Sequence, residues 1–125
     1  MTDAQGIHGV IPVLPVPFAD DQSLDLPAFA VMVRWALGRP VDGLALFGLA
    51  SEYWKLSDDE RLQLTEALTA TVDRRKPVLV SVTDSARYHA ERFARKAASR
   101  GVDGLIVMPP HFMSPKADRV IDHCR

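Results

Sequence analysis

Several loops of this 125-residue chain bring together groups suited to chemistry. Gly48-Leu49-Ala50-Ser51-Glu52-Tyr53 follows an apolar run. Its glycine allows a tight turn whose successive N–H groups can bind a carboxylate or a phosphate. The same residues also read as an ordinary turn after a strand. Pro109-Pro110-His111-Phe112 lies just before Ser114-Pro115, which reads as the N-cap and first-turn proline of a helix. A helix N-terminus there disfavours the protonated form of His111, leaving an imidazole able to take up a proton. Pro15-Val16-Pro17-Phe18 and Thr83-Asp84-Ser85 occupy the same position after other apolar runs. The remaining candidates have plainer readings. His8, His89 and His123 lack the paired spacing of metal ligands, so no metal and no cofactor is expected. Asp20-Asp21 and Asp58-Asp59 suit a turn and a helix start better than an acid/base pair. Trp35 is expected in the core and Trp54 packed in a loop. Cys124, with no base near it in sequence, reads as a reduced thiol rather than a nucleophile.

These loops need a scaffold, and the hydrophobic pattern supplies one. Four short apolar runs alternate with stretches of helical period: Val10–Leu14, Gly43–Gly48, Val78–Val82 and Gly104–Met108. The last three are continuous rather than alternating, as expected of parallel strands covered on both faces. Pro12 weakens the first, because proline cannot donate to a ladder. Leu26, Phe29, Val33, Ala36 and Leu37 share one helical stripe that starts at Asp25 with Pro27 in its first turn. Ser57-Asp58-Asp59-Glu60 is a capping box opening a second helix, whose stripe is Leu64, Ala67, Leu68, Thr71 and Val72. A third helix turns Ala90, Phe93, Ala94, Ala97 and Ala98 inward and leaves Arg92, Arg95 and Lys96 to solvent. The fourth, from Ser114, keeps Ala117, Val120, Ile121 and Cys124 in register, with no Gly or Asn C-cap after them.

An internal repeat organises the array. Val41-Asp42-Gly43-Leu44 recurs as Val102-Asp103-Gly104-Leu105, each copy entering an apolar run after an Arg-containing helix end. The offset fits two strand–helix units of about 30 residues each. Residues 1–125 therefore read as a single domain of four βα units with all strands parallel. A (β/α)8 barrel takes roughly 250 residues, so this is about half of one; a small doubly wound sheet that is complete at this length is the competing architecture. In either, ligands meet the loops after the C-terminal strand ends.

Taken in order, Gly9–Phe18, Gly48–Glu52 with Leu56-Ser57 and Glu60, Gly101–Gly104 and Pro109–Pro115 resemble the dihydrodipicolinate synthase/N-acetylneuraminate lyase family, over residues 6 to 125. The resemblance implies a (β/α)8 TIM barrel, often tetrameric, that binds pyruvate or a related 2-oxo acid as a lysine Schiff base. It also implies aldol cleavage, condensation or dehydration. By the same resemblance, two hydroxyl residues usually hold the oxo-acid carboxylate; here those positions are Leu49 and Ala50, which can offer only backbone N–H groups. Ser51 stands at the usual glycine. The aromatic pair of the fourth loop, whose second member is often a relay tyrosine, is represented by His111 and Phe112. The family's lysine comes from a sixth strand, which these residues do not reach, and none of Lys55, Lys76, Lys96 and Lys116 takes its place. No catalytic residue is therefore assigned, and substrate-binding positions are Leu49, Ala50, His111 and Phe112.

Two functions follow as expectations. One is a lyase or aldolase half whose complete form acts on a 2-oxo acid. The other is a non-catalytic half-barrel or binding module that self-associates through its exposed strand edges. The formal net charge of −1 and the absence of a basic run exclude nucleic acid as the main partner. No apolar run approaches a membrane span, and no signal peptide is recognisable, so a cytoplasmic protein is expected. The resemblance and the open strand edges imply a homo-oligomer.

Overall fold

The structure is a computed structural model and describes residues 6–109 and 115–125. Its elements alternate as the periodicity requires: α1 (Leu26–Leu37), β1 (Leu44–Leu46), α2 (Asp58–Val72), β2 (Val78–Ser81), α3 (Arg87–Ala98), β3 (Gly104–Ile106) and α4 (Ala117–Cys124). The strands form one parallel sheet in the order β1-β2-β3, with Leu44 opposite Val78 and Leu79 opposite Gly104. This open, all-parallel βα array is that of a partial barrel.

The first apolar run is not a full strand. Val13 makes a single parallel bridge to Ala45, while the Ala45 N–H donates to the Pro12 carbonyl and the Leu14 N–H to the Ala45 carbonyl, both at 2.9 Å. Pro12 has no N–H, so the ladder is interrupted at that point. The segment still lines the outer side of β1. The fourth run is likewise shorter than its apolar length, only Gly104–Ile106 being strand.

Local signals set the helix starts. The Asp25 carboxylate accepts from the Ala28 N–H at 2.8 Å. The Ser57 hydroxyl accepts from the Glu60 N–H at 3.3 Å, and the Glu60 carboxylate accepts from the Ser57 N–H at 2.8 Å. Helix α2 packs against both α1 and α3, and buries Leu62, Leu64, Leu68 and Val72. Phe29, Val33 and Ala36 of α1 and Ala90, Phe93 and Ala97 of α3 join the core with Leu44, Leu46, Val78 and Val80. Each such large apolar side chain contributes about 1.5–3 kcal/mol of transfer free energy.

Three expectations are corrected. Trp35 is 62% exposed, with the Arg39 guanidinium 4.5 Å over its ring. Two residues beyond Val33, it is rotated roughly 200° from the buried stripe. Ala98 is exposed, one step past the inward Ala97. Helix α4 begins at Ala117 with Lys116 as its N-cap, so Pro115 precedes the cap and Lys116 is not within the helix; Ser114 lies outside the described residues.

The sequence repeat has a structural counterpart. The Asp42 N–H donates to the Val10 carbonyl at 2.7 Å, and the Val10 N–H donates to the Asp42 carboxylate at 2.7 Å. In the second copy the Asp103 N–H donates to the Val78 carbonyl at 2.8 Å, and the Val78 N–H to the Asp103 carboxylate at 2.9 Å. Each aspartate thus grips both polar groups of the residue that opens the preceding extended segment. Gly9, at φ 80°, fits where a Cβ would strike the Asp42 carboxylate. Asp42→Ala and Asp103→Ala are each expected to lose about 1–2 kcal/mol in urea unfolding. The corresponding Asn variants keep an acceptor and should retain at least half of that. Equal losses in Ala and Asn variants would show that the clamp depends on charge rather than on the hydrogen bond.

Candidate functional site

Because the strands are parallel, their C-terminal ends lie together, and the groups beyond them form one face. After β1 the chain enters Phe47 at φ 65°, a left-handed conformation that a bulky side chain adopts at a cost. Two contacts hold it. Its ring is fully buried, edge-on to Phe93 at 5.9 Å. Its N–H donates to the Ser51 hydroxyl at 2.9 Å, and that hydroxyl donates to the Leu14 carbonyl at 2.6 Å. Ser51, 2% exposed, therefore ties the end of the first segment to the end of β1. Beyond β1, two 3-10 turns, Leu49–Ser51 and Tyr53–Lys55, are joined by Glu52 at φ 47°.

The neighbouring strand ends are also joined by hydroxyls. The Ser81 and Thr83 hydroxyls are 2.8 Å apart, and the Met108 N–H donates to Thr83 Oγ1 at 3.1 Å. Behind this row lies Arg61 of α2, 4% exposed. One of its guanidinium nitrogens donates to the Ser81 carbonyl at 3.0 Å; the guanidinium carbon is 3.8 Å from the Phe93 ring centre and 5.1 Å from that of Phe47. Burial pushes its pKa below the usual guanidinium range, opposed by the charges of Asp58 and Asp84. Asp58 is 3.8 Å away and is itself held by Arg92 at 2.8 Å. The Nε of Arg61 has no hydrogen-bond partner among the described residues. This side chain supports the site from beneath and does not open onto it.

Leu49 and Ala50 lie on the first 3-10 turn with exposed side chains, Leu49 at 73%. The turn is closed by the Ser51 N–H to the Gly48 carbonyl at 3.1 Å and the Glu52 N–H to the Leu49 carbonyl at 3.0 Å. His111 and Phe112 lie outside the described residues. The lysines fall elsewhere than the strand-end face or stand exposed on its rim. Lys55 is an exposed partner of Glu52 at 3.0 Å. Lys76 donates to the Arg39 and Val41 carbonyls at the opposite end of the sheet. Lys96 is on α3, and Lys116 is exposed at the cap of α4. A cleft of about 970 Å³ also opens at the opposite end, where Glu66, Arg100, Lys76 and Asp103 line it. Arg100 and Glu66 pair there at 2.7 Å. Being at the N-terminal ends of the strands, that cleft belongs to the face that serves stability in parallel barrels.

Arg61 was not singled out by sequence, and Ser51 was noted only as the residue at the family's usual glycine, without its bridging role. Arg61 did carry a signal: it shares the i, i+3, i+4, i+7 spacing with Leu64, Thr65 and Leu68, all of them buried. Among the described residues, no group of three His, Cys, Asp or Glu is placed to hold a metal ion. Cys124 is exposed and unpaired by disulfide. No helix among them is long and apolar enough to cross a membrane.

Comparison with known proteins assigns the fold to a lineage. The model of the dihydrodipicolinate synthetase family matches residues 6–125. The chain belongs to that family. It is 30% identical over 116 residues to the 4-hydroxy-tetrahydrodipicolinate synthase of Chelativorans sp., covering 93% of this chain and 40% of that one. It is also 30% identical to the Escherichia coli protein named "Probable 2-dehydro-3-deoxy-D-pentonate aldolase", covering 83% of this chain and 35% of the relative. Among solved structures, a prophage protein of the dihydrodipicolinic acid synthase family from E. coli K12, in complex with pyruvate, superposes with a TM-score of 0.88 at 28% identity. That match covers 93% of this chain and 39% of the other. The family member described here thus spans about 40% of the length of its curated relatives.

Proposed function

We propose that residues 1–125 are the first half of a (β/α)8 lyase or aldolase barrel, four βα units that cradle a 2-oxo acid without supplying its nucleophile. By itself the chain is then a non-catalytic half-barrel that self-associates. The observation that carries this reading is the placement of the four lysines. Schiff-base formation joins an unprotonated amine to the keto carbon and expels water, which requires an amine desolvated beside the substrate. Lys55 and Lys116, on the loops beyond the strand ends, are both exposed, and Lys55 is paired with Glu52. The cradle itself has support. Gly48, Leu49 and Ala50 present consecutive backbone amides after β1, a form suited to the carboxylate of pyruvate or a related acid. By the family resemblance His111 and Phe112 are the other substrate-binding positions; both lie outside the described residues.

With Leu49 and Ala50 in place of side-chain hydroxyls, the complete enzyme is better read as a divergent lyase, aldolase or dehydratase of a hydroxy- or sugar-derived acid. It is less well read as the condensing synthase of the family. Incubation of the 125-residue chain with pyruvate and borohydride, followed by intact-mass and peptide analysis, tests the reading. No covalent adduct is expected. A stoichiometric adduct on Lys55 would overturn it.

A further inference from the structure

We infer that the 125-residue chain pairs with a second copy of itself, edge to edge, closing an eight-stranded parallel barrel in which Leu105 lies beside the partner's Val10. The inference rests on the half-barrel reading above. Its starting point is the repeat. The clamps make Val10 equivalent to Val78 and Asp42 equivalent to Asp103. Under that equivalence the bridge Val13 to Ala45 becomes Ser81 to Ile106, which is the register observed between β2 and β3. The sheet is therefore one two-stranded unit used twice.

The join between the two units is also visible. It is the β1–β2 pairing, with Leu44, Ala45 and Leu46 opposite Val78, Leu79 and Val80. Applying the same join to the outer strand of the second unit fixes what it should meet. Leu105, Ile106 and Val107 take the partner's Val10, Ile11 and Pro12. Both edges are available among the described residues: Val10 is 62% exposed, Leu105 40% and Val107 42%. Three strands and the bridged first segment per copy give eight extended segments, the number at which parallel strands close around an interior filled by side chains. Two-fold symmetry would use both edges of each copy at once.

The hydrogen-bonding directions agree with this join. The N–H and C=O of a strand residue face the same neighbour, and consecutive residues face opposite ones. The Pro12 carbonyl and Leu14 N–H already serve β1, so the side of the segment that lacks the proline N–H is the inner one. Ile11 and Val13 face outward. In β3, the Ile106 carbonyl accepts from the Val82 N–H, which turns Ile106 inward and Leu105 and Val107 outward. In the internal join, the equivalent residues are the ones that bond: the Leu44 N–H donates to the Pro77 carbonyl at 3.0 Å. The transferred register therefore presents donors and acceptors to each other and spares the proline.

The test is a cross-link made on the 125-residue chain, since a longer chain would place strands of its own on these edges. Val10→Cys and Leu105→Cys are combined with Cys124→Ser and oxidised. Neighbouring strands about 4.8 Å apart permit a disulfide, whereas three strand spacings, about 14 Å, separate the two positions within one copy. A single covalent dimer of twice 13.8 kDa is expected. The pair Val10→Cys with Val107→Cys, two residues out of register, should give roughly a tenth of the yield. Sedimentation of the unsubstituted chain over a hundredfold concentration range should show a monomer–dimer equilibrium. A ladder of higher covalent oligomers would overturn the closed barrel, as would equal yields in both registers. A folded monomer at every concentration would overturn the pairing and the self-association proposed above, leaving only the reading that these residues supply no Schiff-base lysine. A pyruvate adduct would overturn that reading without altering the cross-link.

Discussion

Arg61→Ala is expected to destabilise the chain by about 3–4 kcal/mol, a large part of the 5–15 kcal/mol that holds a domain together. The substitution removes a charge-assisted hydrogen bond to the Ser81 carbonyl, worth about 1.5–3 kcal/mol, and leaves that carbonyl without its guanidinium donor. It also empties the space against the Phe93 and Phe47 rings, where a cation contributes about 0.5–2 kcal/mol more. Arg61→Met separates these effects. Methionine fills the same space, and Asp58 keeps Arg92 as its partner. The desolvated guanidinium, with its Nε unpartnered among the described residues, disappears. A loss of only about 1–2 kcal/mol is expected for methionine. At a urea dependence near 2 kcal/mol/M, the alanine variant should unfold about 1.5–2 M earlier. Both variants are compared at one protomer concentration, because association shifts the midpoint. If methionine costs as much as alanine, the charge and not the packing holds the strand ends together.

What the sequence made legible was local. A capping box needs only four residues and a helix N-cap only the next turn, so Ser57–Glu60 and Asp25 could be read directly. The parallel order of the strands followed from their continuous apolar runs and from connections long enough for a helix. Phase errors arose where residue type was weighed above position: Trp35 is large and apolar, yet its place on α1 turns it to solvent. Ala98 extended an apolar stripe one residue past its edge. Val10–Leu14 was legible as extended chain but not as a bridge, because its pairing depends on which way Pro12 faces. The repeat was visible in letters, whereas its meaning was not. Asp42 and Asp103 act on residues 32 and 25 positions away, and no local pattern reports such a contact.

The candidate site divides in the same way. Leu49 and Ala50 were placed correctly on the loop after β1, since strand direction alone decides which loops share a face. The residues that shape this loop were hidden for a physical reason. Arg61 is charged, and charged residues are seldom buried, so its match to the stripe of Leu64 and Leu68 carried little weight. The Ser51 hydroxyl bonds a carbonyl 37 positions earlier in the chain. Its role exists only once the first segment lies against β1.

Ser51→Ala should therefore cost more than a surface serine would, about 2–4 kcal/mol. The hydroxyl is the acceptor for the Phe47 N–H and the donor to the Leu14 carbonyl. Alanine leaves both backbone groups buried without it, at about 1–3 kcal/mol each. The consequence reaches the site through Phe47. Its left-handed backbone stores about 1–3 kcal/mol and persists only while the surroundings impose it. Released, Phe47 can relax and carry Gly48, Leu49 and Ala50 with it, so the amides proposed to meet a carboxylate lose their common direction. Ser51→Gly loses the same two bonds and adds backbone freedom, so the family's usual residue should not rescue this chain. Hydrogen exchange at the Phe47 amide reads the effect where it arises. A local loss of 2 kcal/mol quickens exchange about 30-fold, and amides in the middle of α2 should change only by the global loss of stability. Exchange unchanged at Phe47, with a stability loss under about 0.5 kcal/mol, would mean that the Phe47–Phe93 packing and Arg61 impose the strained conformation without the hydroxyl.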